Sequence, residues 1–408
     1  MGPGFPPLDE ALGLLPGELS PRLVEGVVRL GTQLPFERAA ELLRFFWGVD
    51  VSAETIRRHT EAAGAALVAV ETQDRDELER TFPAAPPGPA VAQWSMDGAF
   101  VPLTGGEWAE VKTAAFGAVH TVTKADGERE AHTTDFSYFS RLADAEAFGR
   151  DLRVELHHRG IQAAPTVAAI NDGAEWIQGI VDTYRRDAVR ILDFAHATGY
   201  LAQAAQATFG PDTPATRAWL TGQAHALQHA SPEVVLAALR ALPCTISAAP
   251  AAAGAARDTA LGYLEPRREQ LRYADFHAQG YPIGSGAMES ACKLVVEARL
   301  KGSGMHWARP NVSPMVALRA AVCSGRWDAV WPRIAQERRR QARDLRVLRL
   351  GKRRPRLEPA PAPRSVKAKP TIHLSSAYQR MRAAAPPTIV DGRPTADHPF
   401  RRPFKKAG

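Results

Sequence analysis

The sequence predicts an α/β fold: a mixed sheet flanked by helices, preceded by a helical region and interrupted by an all-helical insertion. Three observations predict it. Residues from about Leu19 to Phe82 carry apolar side chains at helical spacing, as at Ala39, Ala40, Leu42, Leu43 and Phe46. After the proline-rich stretch Pro83 to Pro89, which cannot hold regular structure, the texture changes to strands. Two of those strands close on Asp-Gly, at Asp97-Gly98 and Asp172-Gly173.

Composition sets the outer bounds. The 408 residues allow two or three domains, and 45% hydrophobic residues supply a sizeable core. No run of about 18 uncharged apolar residues occurs, and Met1-Gly-Pro-Gly-Phe-Pro-Pro does not read as a signal peptide, so a cytoplasmic protein without a membrane partner is expected. Cys244, Cys292 and Cys323 are too few and too scattered for a disulfide framework or a zinc knuckle, and read as reduced core thiols. The net charge of +7 is uneven: Arg333 to Arg356 holds eleven Lys and Arg against two acids, +9, which leaves −2 for the rest. Such a block suits a polyanion, and also describes a solvated tail.

In chain order, Glu37 to Phe46 reads as a helix broken at Gly48-Val49-Asp50, and Ser52 as the N-cap of the next, which buries Ile56 and presents Arg57, Arg58 and His59. Helix, glycine turn and capped helix with exposed cations make a helix-turn-helix pattern that would place Arg57 and Arg58 on DNA; a helical hairpin that binds nothing has the same pattern. Ala92 to Gly98 is a short strand ending at Asp97. Gly105-Gly106 turns into a second, Trp108 to Val122, and Ala131 to Ser140 adds a third to an antiparallel meander. Ala143 to Arg159 is an amphipathic helix, Pro165 to Asn171 a buried parallel strand, Ala174 to Arg185 a helix and Val189 to Asp193 a fifth strand. The order β-β-β-α-β-α-β, with a further helix and with acids at strand ends, describes a ribonuclease-H-like sheet. Thr198 to Phe276 is almost wholly helical, with a breaker at Ala248 to Ala256.

In such a sheet the first and fourth strands are neighbours, so Asp97 and Asp172 sit side by side at one rim, where ligands of open α/β sheets gather. Adjacent carboxylates repel, and a divalent cation between them resolves the repulsion. Each Asp-Gly is by itself only a turn signal. Further on, Gly284-Ser-Gly286 delivers a helix on which Glu289 stands four residues before Lys293, on one face, with Arg299, Lys301 and Trp307 following. A carboxylate among cations and a tryptophan suits a metal held against a phosphate backbone; an ordinary surface Glu–Lys pair has the same spacing. Oxygen-only ligands favour magnesium or manganese. Asp193-Phe-Ala-His196 adds a candidate carboxylate and a proton-transfer histidine at the same rim, or a helix cap and a core histidine.

These motifs as a set resemble DDE transposases of bacterial insertion sequences, of the ISKra type within the Mutator-like superfamily. The resemblance rests on Asp97-Gly98, Trp108-Ala-Glu110-Val-Lys112, Asn171-Asp172-Gly173-Ala174-Glu-Trp176, Asp193-Phe-Ala-His196, Gly284-Ser-Gly286 with Glu289 and Cys292-Lys293, Arg299-Leu-Lys301, Gly304-Met-His-Trp307 and the late Asp397-His398-Pro399-Phe400-Arg401. It implies Asp97, Asp172 and Glu289 as the metal-binding triad, Asp193 and His196 as accessory residues, and Mg2+, or Mn2+ in its place, as cofactor. It also implies double-stranded DNA as partner, at element ends and target, with a homo-oligomeric synaptic complex and a nucleoid location. The implied reaction is hydrolysis that frees a 3′-hydroxyl, which then attacks target DNA without a covalent protein intermediate. Lys293, Arg299 and Lys301 would hold phosphates and Trp307 would stack on an unpaired base, or be plain core. Relatives usually open with a cysteine zinc ribbon, which this sequence lacks.

The expected organisation is a helical DNA-binding domain over 1–82, a linker over 83–90, the first part of the catalytic core over 91–197, the insertion over 198–280, the Glu-bearing part over 281–332 and a basic, partly disordered arm over 333–408. Two other classes remain: a nuclease of the same fold that cuts without joining, and a non-catalytic DNA-binding derivative.

Overall fold

The computed structural model describes residues 19–123, 129–353, 389–390 and 393–394. The late Asp397 to Arg401 motif, the N-terminal Met1 to Pro7 and most of the segment after Arg353 lie outside them.

Three helices come first: α1 (Pro21–Gln33), α2 (Phe36–Trp47) and α3 (Ala53–Thr81). The expected caps are in place. Gly48 closes α2 in the left-handed region, and the Ser52 hydroxyl accepts from the Thr55 amide at 3.2 Å. Beyond Thr81 the prolines run without regular structure, and Gly88 lies so close to Gly160 that a Cβ there would meet the Gly160 carbonyl.

The sheet follows: β1 (Val91–Pro102), β2 (Trp108–Thr123) and β3 (Arg129–Arg141), then α4 (Ala145–His158), β4 (Thr166–Asn171), α5 (Glu175–Tyr184) and β5 (Val189–Leu192). The strand order is β3-β2-β1-β4-β5. β1, β2 and β3 are antiparallel neighbours, whereas β4 lies parallel to both β1 and β5. One correction concerns β1, which continues past Asp97 to Pro102. The hairpin through Gly105-Gly106 keeps β2 opposite it as far as Pro102↔Trp108, after β4 has already left at Trp94↔Ala169.

Two layers of helices bury the two faces. Trp94, Met96, Ala114 and Phe116 pack on Phe148, Leu152 and Ile177 from α4 and α5. Ala99, Val101, Val111 and Ala115 pack on the opposite side against Met288, Val295, Leu300 and Val316. The insertion is α6 (Phe194–Phe209), α7 (Pro214–His229), α8 (Pro232–Arg240), α9 (Pro250–Leu264), a 3-10 turn (Glu265–Leu271) and α10 (Tyr273–Ala278), with a core built on Leu201, Leu236, Leu239, Leu264 and Tyr273. The expected breaker at Ala248 to Ala256 is instead the start of α9: Pro250 sits in the first turn, where a proline costs nothing, and the alanines carry the helix past Gly254.

After the insertion, α11 (Gly286–Ala291), a π-turn (Cys292–Glu297) and α12 (Ala298–Leu300) run as one rod, followed by α13 (Arg309–Cys323) and α14 (Trp327–Arg353). The chain as far as Arg349 is one compact unit. α1 and α3 share a core with α13 and α14 through Val28, Leu67, Leu318 and Ile334. The packing therefore continues past residue 333, the expected start of the arm, and α14 runs on to Arg353. In the second unit, from Leu350, β6 (Ile389–Val390) pairs antiparallel with β7 (Arg393–Pro394). Among the described residues no helix is long and apolar enough to cross a membrane.

The contact of α3 with α13 makes one prediction. A Cβ on Gly64 would fall 2.4 Å from the Pro314 carbonyl oxygen. Gly64→Ala should force the two helices apart and cost about 1–3 kcal/mol, as overpacking does, read as a lower midpoint in chemical denaturation. An unchanged midpoint would mean that α3 and α13 are not in this close register.

Candidate active site

Asp97 lies on β1 three residues beyond Trp94, and Asp172 lies three residues beyond Ala169, the partner of Trp94 on the parallel strand β4. The Met96 amide donates to the Asn171 side chain at 2.6 Å and carries the alignment up to the two acids. Burial pushes the Asp97 carboxyl above the ordinary aspartate range; the Gly98 amide, 2.7 Å away, opposes this, and the negative Asp172 adds to it. Asp172 accepts from the Ala174 amide at 2.9 Å, which fixes its carboxylate at the entry to α5.

Asp193 and His196 divide the roles expected of them. Asp193 caps α6 by accepting from the His196 amide at 2.9 Å, and its second oxygen accepts from the Ser285 amide at 2.5 Å. Both oxygens are thus engaged with backbone, and a buried Asp193 joins the end of β5 to the loop that leads into α11. His196 is exposed, which removes the reading as a core histidine; its positive form lowers the Asp97 carboxyl from nearby.

Glu289 stands on α11 with its side chain 71% exposed, bonded to Lys293 at 2.5 Å. The neighbour that its helix turns toward Asp97 is Cys292, whose thiol is pushed up to about 12 by burial and then by Asp97. Among the described residues no three His, Cys, Asp or Glu side chains stand close enough together to hold one metal ion. Asp97 and Asp172 fit a hard divalent cation, as neighbouring oxygen ligands of like charge; Glu289 is turned to Lys293 instead.

The remaining cations have varied placements. Arg58 is exposed on α3, while Arg57 is held by Glu54 and Glu61. His59, expected on the surface, is buried against Arg338 of α14, and burial lowers its imidazole to about 4. Lys301 pairs with Glu297 at 2.7 Å. Arg299 is a correction, since it does not face out, and Trp307 takes the second of its two readings, plain core. Arg299, 2% exposed, donates twice to the Gly31 carbonyl, and its guanidinium lies between the rings of Phe36 and Trp307 at 4.6 and 5.0 Å. Trp307 is buried and donates to the Leu300 carbonyl at 3.2 Å. The reason is the apolar stripe around them, which encloses the arginine stem and satisfies its head with backbone. Arg57, Arg299 and Trp307 line one pocket of about 340 Å³ with Phe36 and His306.

In the sequence Glu110, Lys112 and Trp176 are read only as motif residues without a role, and Tyr263 and Arg267 are not read at all. Lys112 bonds Glu110 at 2.5 Å and lies over the Trp176 ring at 5.0 Å, so two separate motifs meet there. Tyr263 and Arg267, from the insertion, bond the backbone of Asp172 and Gly173. A Tyr and an Arg four apart on a helix give no local sign of which rim they reach.

The raised Asp97 carboxyl carries a sign for stability. A folded-state value above the unfolded one means stability present at low pH and lost as pH rises through the folded value. Asp97→Asn should therefore melt higher than wild type at pH 7 without metal, and the gap should close as pH falls toward 4. A variant that melts lower at pH 7 would show the carboxylate to be a net stabilising partner instead.

No protein-family model matches the chain, and a search of curated proteins finds no significant match.

Proposed function

We propose that this chain is a DDE transposase of an insertion sequence, which binds element ends and catalyses metal-dependent DNA cleavage and strand transfer. The observation that carries the reading is the pair Asp97, on β1, and Asp172, just past the end of the parallel β4, in a sheet whose order is compatible with a ribonuclease-H-like arrangement. Burial and the neighbouring Asp172 both raise the Asp97 carboxyl, a costly arrangement that a divalent ion relieves. Asp97 and Asp172 would hold magnesium or manganese, which when bound supplies Lewis acidity at a phosphodiester. His196, exposed beside them, has the chemistry to take or give a proton at the attacking or leaving oxygen. Arg58, Lys293 and Lys301 offer exposed positive charge to DNA phosphates, and the basic face of α14 adds to it. A second copy of the chain would complete a synaptic assembly.

The engagement of Glu289 by Lys293 favours a second reading, a non-catalytic DNA-binding derivative. The deciding experiment is incubation of end-sequence duplexes with Mg2+ or Mn2+. Nicks and joined products support the transposase, nicks alone a nuclease of the same fold, and neither the derivative.

A further inference from the structure

The Asp172-Gly173 turn is held from behind by the helical insertion. The Tyr263 hydroxyl, at the end of α9, donates to the Asp172 carbonyl. Arg267 Nη2 donates to the Gly173 carbonyl at 3.0 Å. These donors come from more than ninety residues further along the chain. They brace each other: Arg267 Nη1 donates to the Tyr263 carbonyl at 2.9 Å, and its guanidinium lies 4.1 Å over the Tyr263 ring. Tyr200 of α6 stacks on the other side of Tyr263, centroids 4.1 Å apart and planes 15° from parallel. The fit leaves no slack. Gly173 has φ +80°, and a Cβ on it would lie 2.6 Å from Arg267 Nε.

We propose that Tyr263 and Arg267 are positioning residues for the Asp172 carboxylate, so that the insertion completes the active centre rather than being appended to it. The proposal rests on the reading of Asp172 as a metal ligand. Side-chain donors behind a ligand set its direction, and their loss ordinarily costs about 10–100-fold in metal affinity or activity. Here the bonds go to the two carbonyls that bracket the turn, while the carboxylate is tethered forward to the Ala174 amide. With both ends held, the turn keeps the Asp172 carboxylate within electrostatic reach of Asp97. Burial raises the Tyr263 phenol to about 12, so it remains a donor through the neutral range.

The test uses the full chain, wild type against Tyr263→Phe, Arg267→Lys and Arg267→Met. Hydrogen exchange of residues 172–176 is measured without metal, and Mn2+ binding is measured by electron paramagnetic resonance with the ion alone. Tyr263→Phe removes one hydroxyl and should keep the wild-type melting temperature, while exchange of the Ala174 amide quickens and Mn2+ binds about tenfold more weakly. Arg267→Lys, which keeps a donor, should be milder than Arg267→Met. Wild-type exchange and Mn2+ affinity in Tyr263→Phe and Arg267→Met would overturn the proposal. So would a fall in melting temperature with Ala174 exchange unchanged, the mark of a packing role. Faster exchange in the variants, alongside a wild type that neither binds Mn2+ nor cuts DNA, would uphold the clamp and overturn the transposase reading instead.

Discussion

Asp97→Asn and Asp172→Asn should each fold, keep their affinity for end-sequence DNA and lose strand cleavage and joining by more than about a hundredfold, beyond the loss expected for a merely supporting partner. Each exchange keeps volume and removes one negative charge from a pair of neighbouring carboxylates. Both steps should fall together, because the proposed function gives both to one centre. Asp182→Asn is the control: Asp182 is half-exposed and pairs with Arg190 on the far side of α5, a surface contact worth little. Glu289→Gln separates two situations. If it is as damaging as the aspartate changes, the Lys293 pair must open when DNA and metal arrive and bring Glu289 to the rim. Full activity in Glu289→Gln would leave the two aspartates as the whole centre. Full activity in Asp172→Asn would end the assignment.

The second large effect lies away from the rim. Arg141, buried at the end of β3, donates to Glu71 of α3 and lies 4.5 Å over the Phe139 ring. Burial raises the Glu71 carboxyl, and Arg141 works against that rise; the pair is therefore expensive to desolvate and damaging to split. Glu71→Ala should destabilise the protein by about 3–5 kcal/mol, since it leaves a buried guanidinium without its partner. The double change Glu71→Leu with Arg141→Met should recover most of that loss in thermal or urea unfolding, because no charge is then stranded. A double variant as unstable as Glu71→Ala would show that packing around Phe139, not charge, is what the pair provides.

Local features were legible in the sequence. Ser52 and Gly48 start or stop helices by bonds within a few residues, and the strands show as apolar runs bounded by turn signals, so element order and the neighbouring of Asp97 and Asp172 could be read in advance. What could not be read depends on packing over long range. Arg299 looks like any basic helix residue until Phe36 and Gly31, more than 260 residues away, close around it. The continuation of β1 beyond Asp97 depends on its hairpin partner rather than on its own residues. The hold of Tyr263 and Arg267 on the Asp172 turn has no local signature, and nothing local announces the π-turn that follows Glu289.

α3 has one more consequence. Its 29 residues make a single rod of about 44 Å, the length of about 13 base pairs of B-DNA. Arg75 to Asp151, Arg150 to Glu79 and Arg333 to Asp74 lash its second half to α4 and α14. Its first turns, where Arg58 is exposed, cannot swing independently of the sheet. Under the proposed function, a duplex gripped there would be metered as by a ruler, with the number of base pairs between gripped sequence and severed bond dictated by the protein's own dimensions.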